Sequence, residues 1–156
     1  MEQADLVFRI ANWLVLAGWL ALVLAPIRRG PLVLAARIAA ASVAAIYVAL
    51  LVRGLIAGPG LPEGAGFGTL DGVVALLSRP EAILGAWVHF LAFDLFVGSW
   101  MAEDAPKAGV AHWLLIPLLG LTLLAGPAGL LLYLLVAAIG RRRAGAWEQR
   151  EPRKGT

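Results

Sequence analysis

The sequence predicts an all-α integral membrane protein with four transmembrane helices and a short interfacial helix between the second and third. Three observations predict it. Of the 156 residues, 61% are apolar and 15% charged, whereas soluble domains carry about 45–50% and about 25%. A soluble chain of this size must still cover its surface with polar groups, so the excess implies a lipid surround. The apolar residues also fall in charge-poor runs near the roughly 20 residues that a helix needs to cross a bilayer.

Taken in order, Ile10–Ile27 is free of charge, and its helix is expected to begin near Leu6. Two acids precede the first base in MEQADLVFR, and no small-x-small cleavage site follows convincingly. This span (about 6–27) is therefore read as a retained helix and not as a signal peptide. Arg28, Arg29, Gly30 and Pro31 make a tight connection, with proline suited to open the next helix. The second span covers 31–52 and is interrupted by Arg37. A Gly- and Pro-rich loop follows. Leu70, Val73, Val74 and Leu77 then recur at i, i+3, i+4, i+7, the spacing of a short interfacial helix. Ser78-Arg79-Pro80-Glu81 reads as a capping box opening a third span over 80–101. The fourth span, about 113–138, lies in the charge-free run Ala108–Gly140. Those 33 residues would reach about 50 Å as one helix, against an apolar core of about 30 Å. The helix must tilt, start late or break, and a kink at Gly126-Pro127 is the preferred reading.

Residues 1–140 thus form one membrane domain, and 141–156 a basic tail expected to be disordered. Four spans put the N-terminus, middle loop and C-terminus on one side. That side holds Arg9, Arg53, Arg79, Arg141, Arg142, Arg143, Arg150, Arg153 and Lys154, and the other holds Arg28, Arg29 and Lys107. Lysine and arginine counts then make both termini cytoplasmic. The Ala-, Gly- and Arg-rich composition suggests a bacterial inner membrane.

Absent cysteine excludes a disulfide framework, a thiolate metal site and a cysteine nucleophile. The formal charge of +3 comes largely from arginine clusters without interleaved aromatic residues, so nucleic acid is not an expected partner. His112 is the only histidine besides His89 and falls at the opposite side, with the carboxylates scattered. No metal or cofactor is expected; membrane lipid is the expected partner.

Ionisable groups inside a bilayer cost roughly 2.5–3.5 kcal/mol or more and usually face a bundle interior. Arg37, His89 and Asp94 are the three here. Arg37 and Asp94 both lie about 10 Å from the same side, so they can pair; alternatively Arg37 snorkels to the interface and Asp94 needs another partner or a proton. His89 and Asp94 sit five residues apart, about 140° around a helix, and do not share a face. A protonated Asp94 could act as a general acid, or each could fasten helices, His89 as a neutral ring hydrogen-bonded to a neighbouring helix. Trp87, Phe90, Phe93 and Trp100 could line a groove for a flat apolar ligand, though aromatic residues at helical spacing also serve packing. Pro127 removes a backbone donor, and the small residues Gly126, Ala128 and Gly129 allow close helix approach, giving Arg37, Pro127 and Gly129 structural roles.

The stretches AWVHFLAFDLFVGSW, EDAPKAGVAHWLLIP and LLAGPAGLLLY resemble a membrane-protein family named for abscisic-acid deficiency in plants. Trp87, His89, Asp94, Leu95 and Phe96 match its W-x-H-x-x-x-x-D-L-F pattern, and Pro127 and Gly129 its P-x-G turn. The similarity covers roughly Pro80 to Tyr133. Plant members are required to form neoxanthin from violaxanthin, a step that opens an epoxide to an allene by protonating oxygen and removing a ring-adjacent proton. The resemblance therefore implies a membrane protein that binds or acts on a carotenoid or other isoprenoid, with an epoxide-opening, isomerase-like activity and with His89 and Asp94 as the intramembrane acid–base pair. The competing reading is a non-enzymatic scaffold or accessory subunit. Four short helices barely enclose a long pigment, which leaves room for a homo-oligomer.

Overall fold

The computed structural model describes residues 2–148. It is all-helical over those residues: α1 (Glu2–Val23), α2 (Arg29–Ala57), α3 (Leu70–Leu76), α4 (Pro80–Asp104), α5 (His112–Leu124) and α6 (Gly126–Glu148). Three helices, α1, α2 and α4, are long and apolar enough to cross a membrane.

These three form the main bundle, with α4 packed against both α1 and α2. Glycine brings α1 and α4 together. A Cβ on Gly98 would come within 2.7 Å of the Trp19 ring, and one on Gly18 within 2.5 Å of Leu95. Leu22 of α1, Val43 of α2 and Val88 and Leu95 of α4 are fully buried within the bundle. Most of the remaining large apolar side chains point outward, as lipid-facing helices require, because lipid is as apolar as the core. The Arg53 guanidinium donates to Gln3 Oε1, marking one end of the bundle, where α1 begins and α2 ends. At the other end a ring nitrogen of His112 lies 3.0 Å from the carbonyl of Val23.

The short helix forms where the i, i+3, i+4 pattern predicts it. Its N-cap is Thr69, whose hydroxyl accepts from the Gly72 N–H at 3.0 Å. The capping box at Ser78 does not form. Ser78 Oγ donates instead to the Ala75 carbonyl, and α4 is capped at Arg79 with Pro80 in its first turn. No side chain caps α4; the Ala82 and Ile83 N–H groups donate to the Arg79 carbonyl at 3.0 and 3.1 Å, and proline at N1 has no N–H to satisfy. The tail expected to be disordered from 141 is helical to Glu148; 149–156 lie outside the described residues.

The expected fourth span is not one helix. α5 ends at Leu124, α6 starts at Gly126, and the two run antiparallel. A Cβ on Gly129 would come within 2.6 Å of Thr122 Cα, and one on Gly140 within 3.3 Å of the Ala108 carbonyl carbon. Residues 108 and 140 would be about 48 Å apart along one helix, so their contact requires a hairpin. α5 is about 20 Å long and α4 about 37 Å, so the hairpin reaches only about halfway along the bundle. The excess length of the charge-free run is absorbed by folding back, not by tilt. The break falls at the Gly-Pro step because Pro127 has no N–H to continue α5, whereas in the first turn of α6 none is needed.

A second correction follows. α1 starts at the Arg53 end, and α6 finishes beyond Gly140 at the Ala108 end. The described ends, Glu2 of α1 and Glu148 of α6, therefore lie at opposite ends of the bundle, not on one side.

Candidate functional site

Asp94 and His89 lie on different faces of α4, as helical geometry requires. Asp94 is half-buried and faces the hairpin. A Cβ on Gly126 would come within 2.7 Å of its carboxyl carbon, so only glycine lets the tip of the hairpin settle there. The carboxylate lies beside the first turn of α6, the positive end of that helix's dipole. Among the described residues it has no cationic partner.

Arg37 does not pair with Asp94. It forms an ion pair with Glu103, which also lies 3.9 Å from Lys107. The long arginine side chain reaches toward the end of the bundle, where the pair stays partly exposed, and does not cross α4 to the hairpin face. Asp104, the next residue, turns to the other side of α4. It accepts from the Tyr133 hydroxyl at 2.6 Å and from Arg141. Tyr133 is fully buried and meets the Trp100 ring edge-on at 5.5 Å between centroids. These contacts fasten the open base of the hairpin to α4, while Asp94 and Gly126 meet at its tip.

His89 faces α2. Its ring centroid lies 5.2 Å from that of Tyr47 and 4.6 Å from that of Phe93. One turn further, a cleft of about 460 Å³ opens between α2 and α4, floored by Ala40, Ala41, Ala44 and Ala92, with Phe93 and Phe96 on its wall and Arg37 at one end. Alanine makes the cleft: three methyl-sized side chains on α2 and one on α4 cannot fill the space that two exposed phenylalanines flank.

The four aromatic residues considered as ligand contacts are divided by the fold. Phe93 lines the cleft. Phe90 is 60% exposed beside His89. Trp87 stacks on Phe8 of α1, and Trp100 covers Tyr133 on the hairpin side. The sequence reading missed Tyr47, Glu103 and Asp104. A lone tyrosine in an otherwise apolar, charge-free run was the available sign of the first. The acids were left to a loop because charge closed the apolar window at Met101, three residues before α4 ends.

An apolar helical bundle with membrane-length helices, an internal carboxylate beneath a half-length hairpin and a sideways-opening cleft defines the class: an all-α protein built for a lipid surround. The chain belongs to the ABA DEFICIENT 4-like family, which it matches over residues 6–133. No curated protein and no solved structure matches it.

Proposed function

We propose that this chain is a multi-pass membrane protein that binds, and through His89 acts on, a carotenoid or other linear isoprenoid held in the cleft between α2 and α4. One observation carries the reading: the cleft is apolar along its length, opens sideways where a bilayer would supply its ligand, and has a single polar lining residue, at one end. Arg37 lines one end, and the His89–Tyr47 pair packs one helical turn beyond the other, against Phe93 of the cleft wall. Ligand pockets of this kind, apolar with a few placed polar groups, are the default binding-site hypothesis. The epoxide opening of the plant family members is one chemistry that a histidine one turn beyond such a cleft could serve as base. Asp94 cannot share one reacting atom with it from the opposite face of α4, and in this reading it seats the hairpin.

The sidedness follows from charge. Among the described residues the hairpin end carries Arg28, Arg29, Lys107, Arg141, Arg142 and Arg143, and the other end Arg9, Arg53 and Arg79. The hairpin end is therefore cytoplasmic, with the N-terminal end of α1 on the far side.

The test is a solvent extract of protein purified in mild detergent from its native host, compared with Ala41→Trp. Ala41 is exposed and lines the cleft, so tryptophan there blocks it without entering the core. A stoichiometric isoprenoid in the wild type, missing from the folded variant, is the expected result. Equal extracts, or phospholipid alone in both, would transfer the case to the scaffold reading, in which the polar groups serve only to fasten helices.

A further inference from the structure

The cleft does not end at Arg37. A second cavity of about 330 Å³ meets it at Arg37, which lines both, and is otherwise lined by Arg29, Gly30, Val33, Leu34 and Glu103. The α2 residues of the two cavities, from Arg29 through Arg37 to Ala44, follow one helical stripe, so the two together trace a track about 22 Å long. Its chemistry changes along the way. The body is alanine and phenylalanine, and the mouth has two guanidiniums with a single carboxylate between them. Lys107 adds a third cation beside Glu103, leaving the mouth with net positive charge. Arg29 spends one nitrogen on the Ala102 carbonyl at 3.1 Å, and the buried Nε of Arg37 has no hydrogen-bond partner among the described residues.

A basic mouth on an apolar track is the shape of an amphiphile with an anionic head. We infer that the track takes an isoprenoid bearing a terminal diphosphate, its head between Arg29 and Arg37 and its chain along the alanine floor toward Phe93. This rests on the cleft reading above and names the ligand's head. Guanidinium groups match phosphate oxygens in pairs. The two arginines start about 12 Å apart along α2 and converge on one cavity, a separation that two linked phosphates bridge better than the single phosphodiester of a phospholipid. One track also receives one chain, where a phospholipid brings two.

The experiment uses the full chain in phosphatidylcholine nanodiscs, titrated with geranylgeranyl diphosphate and followed by native mass spectrometry and by calorimetry. Geranylgeraniol, inorganic pyrophosphate, phosphatidylglycerol and β-carotene are the comparison ligands. Arg29→Gln and the charge-balanced double variant Arg37→Gln/Glu103→Gln are the test proteins, each first checked for an unchanged melting profile. Saturable binding of the diphosphate is expected, weakened at least about tenfold by loss of the phosphates or by either arginine change. Equal binding of geranylgeraniol or β-carotene would overturn the diphosphate head yet keep the isoprenoid cleft. Displacement by phosphatidylglycerol at matching concentration would assign the mouth to bilayer headgroups and overturn the inference. Binding of pyrophosphate alone, as tight as the whole molecule, would overturn the role of the track. If no isoprenoid binds, both readings fall together.

Discussion

Gly129→Ala separates a hairpin from a span by the sign of its effect. In the hairpin a Cβ at 129 would come within 2.6 Å of Thr122 Cα and still closer to its backbone nitrogen. Ordinary contact needs about 0.8 Å more, and the obstacle is backbone, which no rotamer change can move. Overpacking costs about 1–3 kcal/mol, and an immovable neighbour puts this case near about 3 kcal/mol, roughly a hundredfold in the unfolding equilibrium. Thr122→Ala should not rescue it, because the hydroxyl is only part of the obstruction. Gly120→Ala is the control within the same hairpin: nothing lies within 4 Å of its would-be Cβ, so the change should be neutral or stabilise by up to about 1 kcal/mol through helix propensity. Reversible unfolding in mixed micelles of mild detergent and SDS measures all three. In one continuous kinked helix, position 129 would be an ordinary helical glycine, and alanine there would stabilise as at 120. Two equal, stabilising substitutions would refute the fold-back.

Two further outcomes follow from the same arrangement. Single cysteines introduced at Gln3 and Arg143 should react with a membrane-impermeant maleimide from opposite faces of sealed vesicles, since α1 begins at one end of the bundle and α6 passes Arg141 at the other; labelling from one face would restore the same-side topology. Tyr133→Phe should cost about 1.5–3 kcal/mol, because its hydroxyl donates to an ionised acceptor from a fully buried ring; an unchanged unfolding midpoint would mean that Arg141 alone holds Asp104.

Helix positions were largely legible because apolar length and punctuation set them locally. Pro31 and Pro80 each act within one turn of the helix they open, and the 70–77 periodicity needs no partner to be seen. What a break does to direction is not local. Gly126-Pro127 announces an interruption, but whether the chain continues or reverses depends on Gly129 meeting Thr122 and Gly140 meeting the Ala108 turn, contacts that hydropathy does not encode. One unresolved reversal then propagated into the side assigned to Arg141, Arg142 and Arg143. The site followed the same rule. That His89 and Asp94 cannot share a face is intrahelical arithmetic, and the structure agrees with it. Arg37 chose Glu103 over Asp94 because a partner at equal depth is useless on the wrong side of a helix, and rotation about α4 relative to α2 is fixed by packing.

The half-length reach of α5 and α6 also makes the molecule taper. In a bilayer, the leaflet at the Arg29 end must accommodate five helices and the opposite leaflet three. Two helix cross-sections amount to roughly 200 Å² per copy. Copies inserted across a bilayer with a common orientation would therefore expand one monolayer against the other, and the taper would act there as a wedge.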